Sequence, residues 1–274
     1  DAAFALAAAW GIGRPIALSR NTRNAFFVVV LLAFGAANLA FHFAMAGALE
    51  VPVRRFTQLG LDLVMFVMVV MGGRVIPMFT NNGVPGVKAR RHETLERVAL
   101  GSVLALIAAD LAGLGGAPLA ALLLLCTVAH GARLALWQPW RTLHTPLVWV
   151  LHAAYAWIVL HLALRLLAEL GWIIPSVATH ALTAGAIGGL TIGMMTRTTR
   201  GHTARPLIAD RFDVACYLCI LIAAMVRVAV PLAAPGAGVG AALVSGWLWA
   251  CGFGLFTLRY APMLLRPRLD GKPG

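Results

Sequence analysis

Apolar residues in this chain do not alternate with polar ones. They run in blocks of about twenty, separated by short stretches of Arg, Lys, Gly and Pro. A helix rises ~1.5 Å per residue, so about twenty apolar residues cover the ~30 Å hydrocarbon core of a bilayer. Eight blocks have that length: 24–47, 56–79, 95–114, 117–137, 146–170, 175–197, 210–231 and 239–264. A further apolar stretch at 2–10 reads as the tail of an earlier span. Asp1 runs straight into it with no basic leader region before it. The expected fold is all-α, a polytopic transmembrane helix bundle with about eight complete spans. Residues 1–274 are expected to form a single integral membrane domain.

The connections between blocks differ sharply in charge. Eighteen basic residues fall on one side: Arg14, Arg20, Arg23, Arg74, Lys88, Arg90, Arg91, Arg97, Arg133, Arg141, Arg197, Arg200, Arg205, Arg211, Arg259, Arg266, Arg268 and Lys272. Only Arg54, Arg55, Arg165 and Arg227 fall on the other. Basic loops stay in the cytoplasm, so the first side and the C-terminus are expected there. The Gly- and Pro-rich connections at 113–116 and 232–238 are outward-facing tight turns.

Composition agrees with this picture. The 274 residues are 61% hydrophobic and 12% charged, with a mean hydropathy of +0.85. Soluble domains are nearer 45–50% apolar and ~25% charged. A disordered chain, a disulfide scaffold and a soluble two-domain enzyme are excluded. The net charge of +12 would suggest nucleic acid in a soluble protein. Here it resides in short loops, so the expected partner is the lipid bilayer and not nucleic acid. Cys126, Cys216, Cys219 and Cys251 all lie in apolar runs, so no disulfide is expected. No Cys-x-x-Cys-His occurs, which excludes covalent haem attachment.

Ionisable groups inside spans are costly and mark function. Five histidines lie in spans: His42, His130, His152, His161 and His180. His92, His144 and His202 lie on cytoplasmic loops. Counting along the spans puts His42, Asp62, Asp110, His180 and His161 toward the outer leaflet, and His130 and His152 toward the inner one. His202 is close enough in sequence depth to join the inner group. His152 and His161 are nine residues apart and fall on opposite helix faces at ~100° per residue. His152, between Trp149 and Tyr155, is the favoured one. Asp62 and Asp110 read equally as acceptors that orient ligand imidazoles or as partners of Arg227. Asp213 is expected to pair with Arg211 or the loop arginines, and Cys216 and Cys219 to pack.

The 175–197 block is the most informative. Gly185, Gly189 and Gly193 repeat at four residues and invite a neighbouring backbone to approach. The other face carries His180, Thr183, Thr191, Met194, Met195 and Thr198. Neutral imidazole suits haem iron and copper, and thioether suits Cu(I). A lone intramembrane histidine can equally be a helix-to-helix hydrogen bonder. Several at matched depth favour a shared metal or cofactor site. No phosphate loop, HExxH or Ser/His/Asp constellation is present, which argues against aqueous hydrolysis.

Two stretches carry a family resemblance. One is Gly72-Gly73-Arg74-Val75-Ile76-Pro77-Met78-Phe79-Thr80. The other is the run from His180 through Gly185, Gly189, Gly193, Met194 and Met195 to Arg197, followed by Gly201-His202-Thr203-Ala204-Arg205-Pro206-Leu207. Leu151-His152 with Tyr155-Ala156-Trp157, and the tail beginning Arg268-Leu269-Asp270-Gly271-Lys272, add to it. Together they resemble the NnrS family of bacterial inner-membrane proteins, from about Arg14 to the last residue.

The resemblance implies a longer protein of which this chain is the N-terminally truncated, C-terminal two-thirds. It also implies non-covalent b-type haem, copper, and a role in nitric oxide metabolism, denitrification and nitrosative-stress resistance. Position by position, the implied metal candidates are His42, His130, His152, His180 and His202. His42 and His180 would be the outer haem pair, with His130, His152 and His202 serving copper or a second haem. Arg74 and Arg197 would meet haem propionates or simply anchor the cytoplasmic rim. Ala204 replaces a glycine of the usual loop.

Three functions compete. The first is a protein that binds or handles nitric oxide or its iron adducts. The second is a redox enzyme of the nitric oxide reductase or quinol oxidase type, which needs an electron donor. The third is a transporter for haem or a metal complex.

Overall fold

The structure is a computed structural model that describes residues 2–272. Residues 1, 273 and 274, including the end of the tail motif, lie outside the described residues. The described chain is helical, with ten α-helices: α1 (Ala2–Leu18), α2 (Phe26–Met45), α3 (Val53–Gly83), α4 (Glu93–Ala112), α5 (Ala117–Leu136), α6 (Pro146–Glu169), α7 (Pro175–His180), α8 (Gly188–His202), α9 (Arg211–Ala233) and α10 (Gly238–Leu264). A π-helical stretch, Ala181–Ile187, joins α7 and α8 into one rod. The all-α transmembrane bundle expected from the pattern is thus observed.

Among the described residues seven helical segments are long and apolar enough to cross a bilayer. The remaining expected span, 95–114, is α4 and forms a full twenty-residue helix. Every eighteen-residue window of it holds Glu96, Arg97 and Asp110, which separates it from the others. The stub expected at 2–10 extends through Pro15 to Leu18.

Local sequence sets the ends. Pro118, Pro146 and Pro175 sit in the first turns of α5, α6 and α7, where no N–H partner is lost. Gly116, at φ +68°, makes the turn into α5. Asp210 caps α9 by accepting from the Phe212 and Asp213 amides, while Asp213 accepts from the Asp210 amide.

The chain divides into two compact units, and α3 and α4 contribute to both. The first holds the chain to Val69 and Val103–Leu114. Its core joins Ala37, Leu59 and Leu63 with Ala33, Phe34 and Ile107. In it Asp62, fully buried, accepts from the Gln58 amide at 2.9 Å.

The second unit holds Val70–Ser102 and the chain from Gly115 onward. Its central element is α6, which packs on α5, α7, the π stretch and α8. The Gly185, Gly189 and Gly193 stripe meets α6. A Cβ on Gly185 would overlap the Trp157 ring, one on Gly189 would lie 2.8 Å from the Ala154 Cβ, and one on Gly193 would lie 2.9 Å from Leu151 and Val150. The neighbour that the small-residue repeat called for is therefore α6. At the C-terminal end of α8, buried Arg200 donates to Asp213 at 2.6 Å and to Tyr260 of α10 at 2.9 Å, and Tyr260 donates to Asp213 at 2.6 Å. The expected arginine partner of Asp213 is Arg200, which the sequence counted with the 197–211 connection and the structure places inside α8. Burial alone would raise the Asp210 carboxyl, but the hydrogen bond from Arg259 outweighs it and holds the group below the usual range. The tail is pinned to the same loop. Arg268 donates to the His202 carbonyl at 2.9 Å, and the Leu269 amide reaches the Thr203 carbonyl.

Gly185→Ala should cost about 1–3 kcal/mol, the range for overpacking. Gly254→Ala, on α10 with open space around it, should be neutral or slightly stabilising. Thermal unfolding of the purified protein in detergent compares the two, and equal melting temperatures would refute the packing role of the stripe.

Candidate functional site

Two places in the second unit gather chemistry. One, called inner because the sequence expectation puts it on the basic side, lies between α3, α4, α5 and α6, and the other is called outer by the same expectation. Arg133 on α5 is 1% exposed. Its Nε donates to Glu96 Oε1 at 2.8 Å, its Nη2 to Glu96 Oε2, and its Nη1 to the Tyr155 hydroxyl at 2.9 Å. The fork-to-fork geometry with the carboxylate is the strong form of this pair. Arg91, half-exposed, reaches Glu96 from the outside at 3.2 Å. Gly72 and Gly73 of α3 make the room. A Cβ on Gly73 would overlap the Arg133 guanidinium, and one on Gly72 would stand 3.2 Å from the Tyr155 ring.

The hydrogen bonds run in a defined direction. His130 Nε2 faces the Ala99 carbonyl at 3.1 Å, and a carbonyl only accepts, so Nε2 carries the proton. Nδ1 is then the acceptor, and the Tyr155 hydroxyl donates to it at 2.7 Å. The Tyr155 oxygen in turn accepts from Arg133. Both nitrogens of His130 are committed to protein partners. His152 Nδ1 donates to the Val148 carbonyl at 3.1 Å, and its Nε2 faces the Thr80 hydroxyl at 3.3 Å. The Trp137 ring stands edge-on to both Tyr155, at 4.7 Å between centroids, and His152, at 6.4 Å.

The outer place is an open groove of about 350 Å³ between the π stretch, α9 and α10. His180, the last residue of α7, lines it with Thr183, Arg227, Ser245 and Trp249. Neither ring nitrogen of His180 hydrogen-bonds to a described residue. π-helical turns place extra residues on one face and recur at functional sites. Here the turn begins at the residue after the histidine.

The remaining predicted residues are dispersed. His42 is exposed at the end of α2 in the first unit, edge-on to Phe41. His161 is buried and donates to the Ala178 carbonyl at 2.7 Å. His202, His92 and His144 are exposed on or beside loops. Arg74 is half-buried on α3. Arg197 lies over the Phe79 ring at 3.7 Å. His130 and His152 share the inner cluster, with Trp137 and Tyr155 between them, while His202 is exposed and offers its carbonyl to Arg268. Among the described residues no three or more His, Cys, Asp or Glu are grouped to hold a metal ion. Among the described residues no disulfide joins the four cysteines.

Residues 1–268 match the model of the family described as NnrS protein. The chain belongs to the NnrS family. No curated protein and no solved structure matches it. In this NnrS chain the two stretches that carried the resemblance are in contact through Arg197 and Phe79. Gly72 and Gly73 of the first stretch form the cradle for Tyr155 and Arg133.

Sequence reading missed Arg133, Glu96 and Tyr155 as a unit. Arg133 looked like one more basic residue at a helix end. The available signal was the Gly72-Gly73 pair inside a helix, which demands a large neighbour.

Glu96→Gln leaves the Arg133 charge buried without its counter-ion and should cost about 3–5 kcal/mol. Glu93→Gln removes the exposed pair with Arg97 and should cost less than about 1 kcal/mol. Chemical denaturation of both variants measures the contrast, and a silent Glu96→Gln would contradict the hub assignment.

Proposed function

We propose that this NnrS chain is a haem-binding, multi-pass protein of the bacterial inner membrane, with a cytoplasmic C-terminus, that binds or handles nitric oxide or its iron adducts. The observation that carries the reading is His180. It presents an imidazole with uncommitted nitrogens to a groove, beside the guanidinium of Arg227. That donor set fits one histidine that would hold haem iron and a cation that would meet a carboxylate side arm. Haem iron held there would supply a position able to bind nitric oxide. His180 would lend its lone pair, Arg227 would meet an anionic group, and Trp249 and Ala184 would line the groove beside them. His180 is the one imidazole among the described lining residues. This favours ligand binding at an open position over bis-histidine electron transfer. His42, exposed on α2, is the second candidate imidazole of the outer leaflet.

The inner histidines do not fit a copper site. His130 has no free lone pair, and no group of three donors is formed among the described residues. No step is therefore assigned to copper.

The purified protein from haem-replete expression should show a Soret band that shifts on addition of nitric oxide. His180→Ala should remove the band or change it. An unchanged spectrum and haem content in His180→Ala would overturn the ligand assignment. Turnover of nitric oxide with a reductant would favour the redox-enzyme reading, and haem movement without turnover the transporter reading.

A further inference from the structure

The inner cluster holds His130 in an arrangement that serves no metal, and its geometry suits another chemistry. Tyr155 is fully buried. Its oxygen accepts from Arg133 at 2.9 Å, so its own proton is left to point at His130 Nδ1, 2.7 Å away. The other imidazole nitrogen is fixed on the Ala99 carbonyl, which accepts from neutral imidazole and more strongly from the protonated form. Arg133 carries no lone pair and stays protonated, so it cannot pass a proton on. Its charge is balanced by Glu96. The phenolic proton therefore has one destination, and a bound base is already in line with it.

A phenol gives up an electron readily only if its proton leaves in the same event. We propose that Tyr155 and His130 form a redox-active pair, in which one-electron oxidation of the phenol is coupled to transfer of its proton to His130. The O–H bond of Tyr155 breaks and an N–H bond forms at His130 Nδ1. The electron passes to a one-electron oxidant. The products are a neutral tyrosyl radical, an imidazolium still bonded to Ala99, and the reduced oxidant. The class of oxidant that reaches a buried membrane site is a small neutral radical soluble in the bilayer. Nitrogen dioxide is one such radical and leaves as nitrite. Its choice rests on the nitric oxide reading, whereas the pair itself does not.

The neighbours separate Tyr155 from alternatives. Trp137 stands edge-on at 4.7 Å, but its buried N–H has no hydrogen-bond partner among the described residues. A hole on Trp137 has nowhere to send its proton and relaxes to Tyr155. The chain has two other tyrosines. Tyr260 donates to a carboxylate, Asp213, and no imidazole is bonded to Tyr217 among the described residues. Among the described residues, Tyr155 is the tyrosine that pairs with a histidine.

The test uses the purified full chain, with histidine labelled with ¹⁵N in the ring, oxidised by photogenerated tris(bipyridine)ruthenium(III) and frozen for electron paramagnetic resonance. The expected result is a tyrosyl signal coupled to one histidine nitrogen. Tyr155→Phe should abolish the signal, and His130→Gln should remove the nitrogen coupling. If Tyr155→Phe fails to fold, the nitrogen coupling in the unsubstituted protein decides alone. A signal without histidine coupling, a signal retained in Tyr155→Phe, or no tyrosyl signal under excess oxidant would each overturn the proposal. None of these outcomes depends on haem at His180.

Discussion

The burial of one arginine organises the second unit. A guanidinium 1% exposed carries a desolvation cost of several kcal/mol unless its donors are matched. Arg133 meets that requirement with a bidentate carboxylate from α4 and a phenol from α6. Three helices are thereby held at one register. The cost of the arrangement falls on α3, which must be bare at Gly72 and Gly73 to let the guanidinium and the Tyr155 ring lie against it.

The same logic appears at the C-terminal end of α8 with different residues. Arg200 of α8 is buried against Asp213 of α9 and Tyr260 of α10. In both places an arginine, an acid and a tyrosine tie neighbouring helices where apolar contact alone gives little direction in a bilayer. In the first, the tyrosine has an imidazole as acceptor. In the second, it has a carboxylate. The difference in acceptor is what makes Tyr155 the candidate for chemistry and Tyr260 a strut.

The spans were legible because hydropathy alone requires a helix of about twenty residues in a bilayer. The glycine repeat of the 175–197 block was legible as a packing face, and α6 is its partner. His180 stood out in the sequence as a candidate, but the π stretch after it did not, since one extra residue per turn leaves no mark on composition. The sequence grouped His130 and His152 with His202, and of these the structure brings His130 and His152 to one cluster around Trp137 and Tyr155. Their role was not readable, because hydrogen-bond direction depends on Ala99, Val148 and Tyr155, which sequence spacing does not relate to His130 or His152. Arg133 was misleading for a simple reason. Near the cytoplasmic end of a span, a positive charge already has an adequate explanation in topology.

Fold and chemistry therefore meet at the Arg133 and Glu96 pair, which fixes the phenol that faces His130. A double-mutant cycle measures it most directly: thermal unfolding of Glu96→Met, Arg133→Met and the double substitution in detergent. A buried pair is costly to break and cheap to replace whole. The double variant should be more stable than Glu96→Met alone, which strands the guanidinium. Losses that simply add would contradict the account and return Arg133 to the role of a topology signal.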